Sequence, residues 1–337
     1  MLHRPRLSTL AVIAALVLLS TPVGATGATI TYLPDLGGYA FAYAVNNQNA
    51  VVGTVLNEAN NLSSAALWRD SALTVLGTLG GSTATAYDIN DHGQVVGTSL
   101  LPGDTRSTAF LWENGQMTDL GCLPRSVSCE ALAINNAGEI VGVNISADQS
   151  EQAVKWSGGR IINLTPTRRA TGRAFAINDA GVVGGYVQRA DGTPLATIWD
   201  GKRAESFDAF GWAVVREINN AGSFLIEQYT TDEVRSSAYY LVRGEQTIDV
   251  TDQNGSYFVA EALNNRDQLS GRLLDFVDGT VVQRIVVWDQ GQLREAEPLP
   301  DPYRSGYTSD LNDTGYQVGA VSTESGAKAV LWAPTTP

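Results

Sequence analysis

Apolar and polar residues alternate along most of the chain in short runs, as in "STATAYDI" and "GQVVGTSL", and Gly, Asn and Asp punctuate the runs. A period of two over such lengths predicts half-buried strands rather than helices. The runs also recur as one phrase: AYAVNNQNAVVG, AYDINDHGQVVG, ALAINNAGEIVG, AFAINDAGVVGG, VREINNAGSFLI, AEALNNRDQLSG and TSDLNDTGYQVG. Their first asparagines, Asn46, Asn90, Asn135, Asn178, Asn219, Asn264 and Asn312, lie 44, 45, 43, 41, 45 and 48 residues apart. That spacing makes the chain a seven-fold array, not a pair of domains.

Each unit has the same order of signals. An apolar residue precedes the asparagine, a glycine usually follows three residues later, and a β-rich run comes next, which reads as strand, tight turn, strand. A third strand ends in tryptophan at Trp68, Trp112, Trp156, Trp199, Trp288 and Trp332, and a turn such as ENGQ leads to a fourth. Four strands in about 44 residues predict a propeller blade. The expected fold is all-β: a seven-bladed β-propeller of four-stranded antiparallel blades, with units at about 39–80, 81–124, 125–166, 167–208, 209–251, 252–299 and 300–335. The last unit stops at "AVLWAPTTP" without a fourth strand, so "ATITYLPDL" near the start, residues 29–35 included, is expected to complete it. Such closure leaves no long open edge. Glycine seven residues after the asparagine (Gly53, Gly97, Gly142, Gly185, Gly271, Gly319) occurs together with the tryptophan, and the fifth unit replaces both, with Ile226 and Leu241. The covariation suggests an indole lying over a bare glycine backbone.

Composition adds a location. The chain opens with Arg4 and Arg6, an apolar run from Leu10 to Leu19, and small residues at Val23 and Ala25. This reads as a signal peptide, residues 1–28, cleaved near 25 or 28. The apolar run is too short to span a bilayer, and no later stretch approaches the roughly 20 apolar residues that would. A secreted protein follows, with periplasmic or wall retention left open. The net charge is −13, and the leader removes only cations, so nucleic acid and anionic lipid are excluded as partners. The two cysteines, Cys122 and Cys129, are expected to pair as a disulfide in an oxidising compartment. With no histidines beside them they make a poor metal site, and neither metal nor cofactor is expected.

The repeats A-x-x-I-N-N-x-G-x-V-V-G, then A-F-L-W, then "MTDLG" and "LGTLGG", resemble the HAF family of extracellular repeat proteins, found in exported bacterial proteins. The resemblance covers residues 32 to 332 and is strongest from Leu76 to Gly142; the fifth and sixth units depart most, at Ile226, Leu241 and the turn NNRD. It implies an exported propeller-like array and carries over no catalytic residues.

Candidate chemistry is sparse. A Ser-His-Asp triad could run only through His92, and G-x-S-x-G, HExxH, Walker, CxxC and EF-hand patterns are all absent. His92 fills the turn position where other units hold Gln48, Ala137, Ala180, Ala221, Arg266 and Thr314, which makes it a turn residue. The sequons at Asn61, Asn144, Asn163, Asn254 and Asn312 read as turn and loop chemistry. If the Asn turns share one face, the variable loops share the other, where propeller pockets converge on the channel. The later interblade links place Arg168, Arg169, Arg173, Trp212, Arg216, Tyr257, Glu261, Tyr303, Arg304, Tyr307 and Asp310 near the entrances of four inner strands. Aromatics with Arg and acid partners suit a glycan, a peptide, a small polar ligand or another protein; interblade packing and surface ion pairs are the competing account. The sequence reading is therefore a monomeric secreted binding or interaction scaffold. Alternatives are a propeller lyase or hydrolase using Asp, Glu, Arg and Tyr around the channel, and a structural cell-envelope protein.

Overall fold

Each unit of the repeat folds as one antiparallel sheet. In the second, Ala84–Ile89, Val95–Leu100, Ser107–Glu113 and Gln116–Asp119 pair in chain order from the axis outward. The computed structural model describes residues 29–60, 62–165, 171–201, 203–230, 236–296, 305–324 and 326–334, and these form the seven blades of a β-propeller. The sixth blade gains a fifth, two-residue strand, Asp252–Gln253. The last blade is completed as the sequence predicts: Ile30–Tyr32 pairs with Gly326–Trp332, Ile30 opposite Trp332. The Leu33 amide donates to the Ala329 carbonyl, and Lys328 pairs with Asp35, holding this closure. The signal-peptide reading falls on residues 1–28, outside those described. No helix among the described residues is long and apolar enough to cross a membrane.

The repeated asparagine has two tasks. Within its own blade its Oδ1 accepts backbone N–H groups of the turn, as Asn46 does from Gln48 at 3.1 Å and Ala50 at 2.9 Å. The residue three positions on takes positive φ, and this is Gly93, Gly138, Gly181, Gly222 or Gly315 in five units. The two units without glycine use Asn49 (φ 61°) and Asp267 (φ 60°), residue types that tolerate this region, so the turn survives.

Between blades, its Nδ2 donates to the backbone carbonyl of the next asparagine. The series runs Asn46 to Asn90, Asn135, Asn178, Asn219, Asn264, Asn312 and back to Asn46, each step between 2.9 and 3.1 Å. All seven are 3–5% exposed, so the circle is shielded from water. A second circle runs beside it. The backbone N–H of each following residue donates to the side-chain oxygen of its neighbour, through Asn47, Asp91, Asn136, Asp179, Asn220, Asn265 and Asp313, at 2.8–3.0 Å. No two acids are adjacent in this ring, and three is the largest number of non-adjacent positions that a ring of seven permits. Amide Nδ2 groups therefore face carboxylate oxygens: Asn136 and Asn220 both donate to Asp179, at 3.1 and 2.8 Å.

One expectation needs correction. A Cβ added to Gly53 would lie 1.9 Å from the Phe41 carbonyl oxygen, and the other five glycines meet the corresponding carbonyl at 1.9–2.0 Å. Their nearest neighbours are atoms of the inner strand, not the indole. The cause is a bulge in every inner strand, which pushes its backbone toward the second strand. In two blades the tryptophan instead bonds across the seam to the preceding blade: Trp68 Nε1 donates to the Pro34 carbonyl at 2.8 Å and Trp156 Nε1 to the Gly121 carbonyl at 3.1 Å, whereas the buried Nε1 of Trp199 and Trp332 finds no partner among the described residues. Cys122 and Cys129 form the expected disulfide beside that second seam.

Candidate functional site

The same bulge builds the channel wall. It inserts Tyr43, Tyr87, Leu132, Phe175, Arg216, Glu261 or Ser309, one residue per blade, into the inner strands. An inserted residue leaves the ladder, and these project toward the axis. The wall is chemically divided. Blades 7, 1 and 2 present aromatics, with Tyr43 5.9 Å from Tyr87 and 6.4 Å from Phe41. Burial, together with Glu130 and Tyr43 nearby, pushes the Tyr87 phenol up to about 12, and burial does the same to Tyr307 beside Tyr43 and Glu261.

Blades 3 to 5 carry charged and aromatic groups in one continuous belt toward the loop face. Glu151 accepts from Arg173 at 2.5 Å and from the Tyr186 hydroxyl at 2.6 Å. Burial opposes the Arg173 charge, but Glu151 outweighs it and holds the guanidinium above its ordinary value. The Tyr186 ring lies 5.9 Å from Phe175, and the Arg216 guanidinium sits 5.5 Å over the same Phe175 ring. Arg216 reaches Glu227 at 3.5 Å. Tyr229, whose ionisation is disfavoured by burial and by Glu227, stands 5.5 Å from Trp212. Trp212 is 55% exposed, yet its carbonyl is pinned by the Tyr229 amide at 2.8 Å. A fixed backbone thus carries a large ring into solvent.

Deeper in the channel lie three acids. Asp88, Glu217 and Asp310 occupy the position two before the asparagine, where the other four blades have Ala44, Ala133, Ala176 and Ala262. All three are half-buried. Burial raises Asp88 to about 6; burial and Asp88 raise Asp310 to about 7; burial, Asp310 and Asp88 raise Glu217 to about 8. Asp88 and Asp310 are stapled to the next blade, accepting from the Ile134 and Val45 amides at 2.8 Å, and each also accepts the N–H of its own successor.

Of the residues expected to bind a ligand, Arg173, Trp212 and Arg216 meet in the belt. Tyr257 does not join them at the surface. It is 5% exposed, packs beside Tyr239 and donates to the Ser237 carbonyl, so its ring is core. Glu261 accepts from Arg272 and Thr308, an interblade staple on the channel wall. Tyr307 lines the aromatic arc, and Asp310 sits near the turn end of the channel rather than at a loop entrance, because the strand carries it inward. Arg168, Arg169, Tyr303 and Arg304 lie outside the described residues. Reading from the interblade links missed Glu151, Phe175, Tyr186, Glu227 and Tyr229. Tyr186 and Glu227 stand where other units have Thr54, Thr98, Val143, Arg272 and Ala320, and that departure was the available signal.

Two concavities open on the turn face. One, of about 170 Å³, is ringed by the asparagine circles, whose polar groups satisfy each other. The other, a groove of about 560 Å³, runs past Arg69, His92, Gln94, Trp112 and Glu113, with His92 exposed as a turn residue should be. No group of His, Cys, Asp and Glu able to hold a metal ion occurs among the described residues.

No family model and no curated protein matches the chain. Solved structures do resemble it in fold. The β-propeller domain of the Trilobed protease from Pyrococcus furiosus, described as having an open velcro topology, aligns with TM-score 0.61 at 12% identity over 93% of this chain and 95% of its own. A puromycin-hydrolyzing peptidase of Mycobacterium tuberculosis aligns with TM-score 0.60 at 14% identity, over 91% of this chain but only 56% of that one. At such identities the likeness establishes a propeller fold and nothing about activity.

Proposed function

We propose that this protein is an exported binding scaffold of the HAF-repeat type, whose ligand lies across the belt from Trp212 to Arg173 on the loop face. One observation supports this above the rest: an exposed Trp on a pinned backbone, continuous with Tyr229, Phe175, Tyr186 and two Arg–Glu pairs. Rings of this kind offer contact area at little entropic cost, and Arg–carboxylate pairs present matched donors and acceptors. Both cations are already neutralised, which favours a neutral polar ligand such as a saccharide or an uncharged peptide over an anion. A binding screen of neutral oligosaccharides and peptides against the intact chain tests the proposal. Trp212→Ala and Arg216→Ala should each weaken any hit by about 1–3 kcal/mol, or roughly 5- to 150-fold; a hit indifferent to both substitutions would place the site elsewhere.

An enzymatic reading draws on Asp88, Glu217 and Asp310, acids with displaced ionisation around one channel. Two of them are committed to backbone N–H groups, and Glu217 is the one without a hydrogen bond among the described residues. Peptidase activity in the structural neighbours gives no support to this reading, since the propeller is little more than half of the M. tuberculosis peptidase chain. Loss of a detected hydrolase or lyase activity in Glu217→Gln, with binding intact, would be its signature.

A further inference from the structure

Five of the six repeat tryptophans are core: Trp68, Trp156, Trp199, Trp288 and Trp332 are 0–5% exposed. Trp112 is the exception. It packs against the cluster that holds Val95 and Phe110 but is only half-buried, and it lines the groove of about 560 Å³ on the turn face of the second blade. That size is typical of small-molecule sites, which run from about 300 to 1,000 Å³. The Trp112 Nε1, unlike those of Trp68 and Trp156, has no hydrogen-bond partner among the described residues.

The groove also holds a cation that its surroundings leave unanswered. Arg69, at the end of the third strand of blade 1, follows the residue paired with Val51; its counterpart in blade 5, Arg243, follows the residue paired with Phe224. Arg243 reaches the turn of the next blade and meets Asp267, three residues after Asn264, at 3.0 Å. Arg69 makes the same reach, but Gly93 stands in that place, so close that an added Cβ would lie 3.3 Å from Nη2. Glycine offers no carboxylate. The exposed Arg69 guanidinium has no ion pair or hydrogen bond among the described residues.

Two further groups are fixed beside it. Glu113 Oε2 accepts from Gln94 Nε2 at 2.9 Å, and Gln94 Oε1 accepts in turn from Asn90 Nδ2 at 2.7 Å, which ties this carboxylate to the asparagine circle. Glu113 Oε1 has no partner among the described residues. The His92 amide is pinned by Asn90 Oδ1 at 3.0 Å, and its exposed imidazole lines the groove.

We propose that this groove is a second binding site, separate from the loop-face belt, for a uronate unit of an acidic saccharide. The carboxylate lies on Arg69, the apolar sugar face on Trp112, and the hydroxyls on Glu113 and His92. A planar guanidinium with no acid of its own takes a carboxylate through two parallel hydrogen bonds. A half-open indole with a free N–H suits a ring that has an apolar face and a polar rim. An ionised Glu113 only accepts, which fits hydroxyl donors. It also repels a second negative charge, and with the chain's net charge of −13 this favours a single carboxylate over a phosphate dianion. The belt differs in this respect, since each Arg there already has a Glu.

Isothermal titration of the full chain at low ionic strength tests this, with the β-1,4 disaccharide of glucuronate and glucose set against cellobiose, which has a hydroxymethyl group in place of the carboxylate. The acidic sugar should bind, and both cellobiose and the Arg69→Gln variant should show affinity at least about 10-fold weaker. Binding should also change the tryptophan emission, and that change should disappear in Trp112→Phe. Trp212→Ala in the belt, and Arg160→Gln at an exposed arginine elsewhere, should leave the affinity unchanged. The proposal is overturned by absence of binding, by equal binding of cellobiose, or by equal displacement with inorganic phosphate or an acetylated tripeptide carboxylate. An affinity indifferent to Arg69→Gln, or an emission change that survives Trp112→Phe, overturns it too, and loss of binding in Trp212→Ala would place this sugar in the belt instead.

Discussion

Replacing Asn178 with Asp separates the two tasks of the repeated asparagine. The side chain is 5% exposed, its Nδ2 donates to the Asn219 carbonyl at 3.0 Å, and its Oδ1 accepts the Val182 amide at 3.0 Å. Aspartate is nearly isosteric and keeps the second bond, so as a turn-former it should serve as well as Asn. It cannot donate when ionised. The variant then loses one ring bond, about 1 kcal/mol, and faces a buried carboxylate against a carbonyl oxygen, a further 1–3 kcal/mol. The expected cost is about 2–4 kcal/mol at pH 8. Ionisation is what hurts, so the folded-state pKa of the new carboxyl must lie above its unfolded value near 3.9. The cost is therefore full above the folded pKa and shrinks as pH falls through it, because the protonated carboxyl can donate where the amide did. Urea unfolding followed by tryptophan fluorescence at pH 8 and pH 5, each paired with wild type, measures the difference from the midpoint at constant slope. A loss below about 0.5 kcal/mol at pH 8, or one equal at both pH values, would refute the ring argument and leave the asparagine as turn chemistry alone.

Two further outcomes follow from the channel and the bulges. The folded-state values of Asp88, Asp310 and Glu217 are raised to about 6, 7 and 8 from 3.8, 3.8 and 4.5. Their contribution is thus fully favourable below the unfolded values and lost as pH rises through the folded ones. Glu217 faces Asp310 and Asp88 with only Arg216 opposing, so Glu217→Gln should raise the melting temperature at pH 9 and leave it nearly unchanged at pH 5; equal effects at both would count against the triad. Gly142→Ala drives a Cβ to 1.9 Å from the Glu130 carbonyl oxygen, a collision with backbone that cannot rotate away. It should cost at least the 1–3 kcal/mol typical of overpacking, read by the same urea titration, and a neutral result would mean the bulge can relax.

The sequence carried the architecture because each blade repeats a local rule. Strand alternation, the Asn turn and the tryptophan are set by neighbours within one unit, and seven copies of the same phrase expose them; even the completing strand at Ile30–Tyr32 could be counted as the piece missing from the end. The exchange of Asp88, Glu217 and Asp310 for alanine was equally visible, but its meaning was not. Their ionisation is set first by burial inside the closed ring, and for Asp310 and Glu217 also by acids from blades more than 90 residues apart in the chain. The reason for Gly142 and its counterparts also escaped the sequence, since the atom that forbids a side chain belongs to a bulge no pattern announces. Likewise Arg173, Trp212 and Arg216 were found as link residues, whereas Glu151, Tyr186 and Glu227, which orient them, lie on second and third strands whose ends meet only when blades 3, 4 and 5 stand side by side. What a residue does with its nearest chain neighbours was thus written locally, and what it does across the axis or a blade seam was decided by closure of the ring, which alone brings those distant groups within hydrogen-bonding and electrostatic reach.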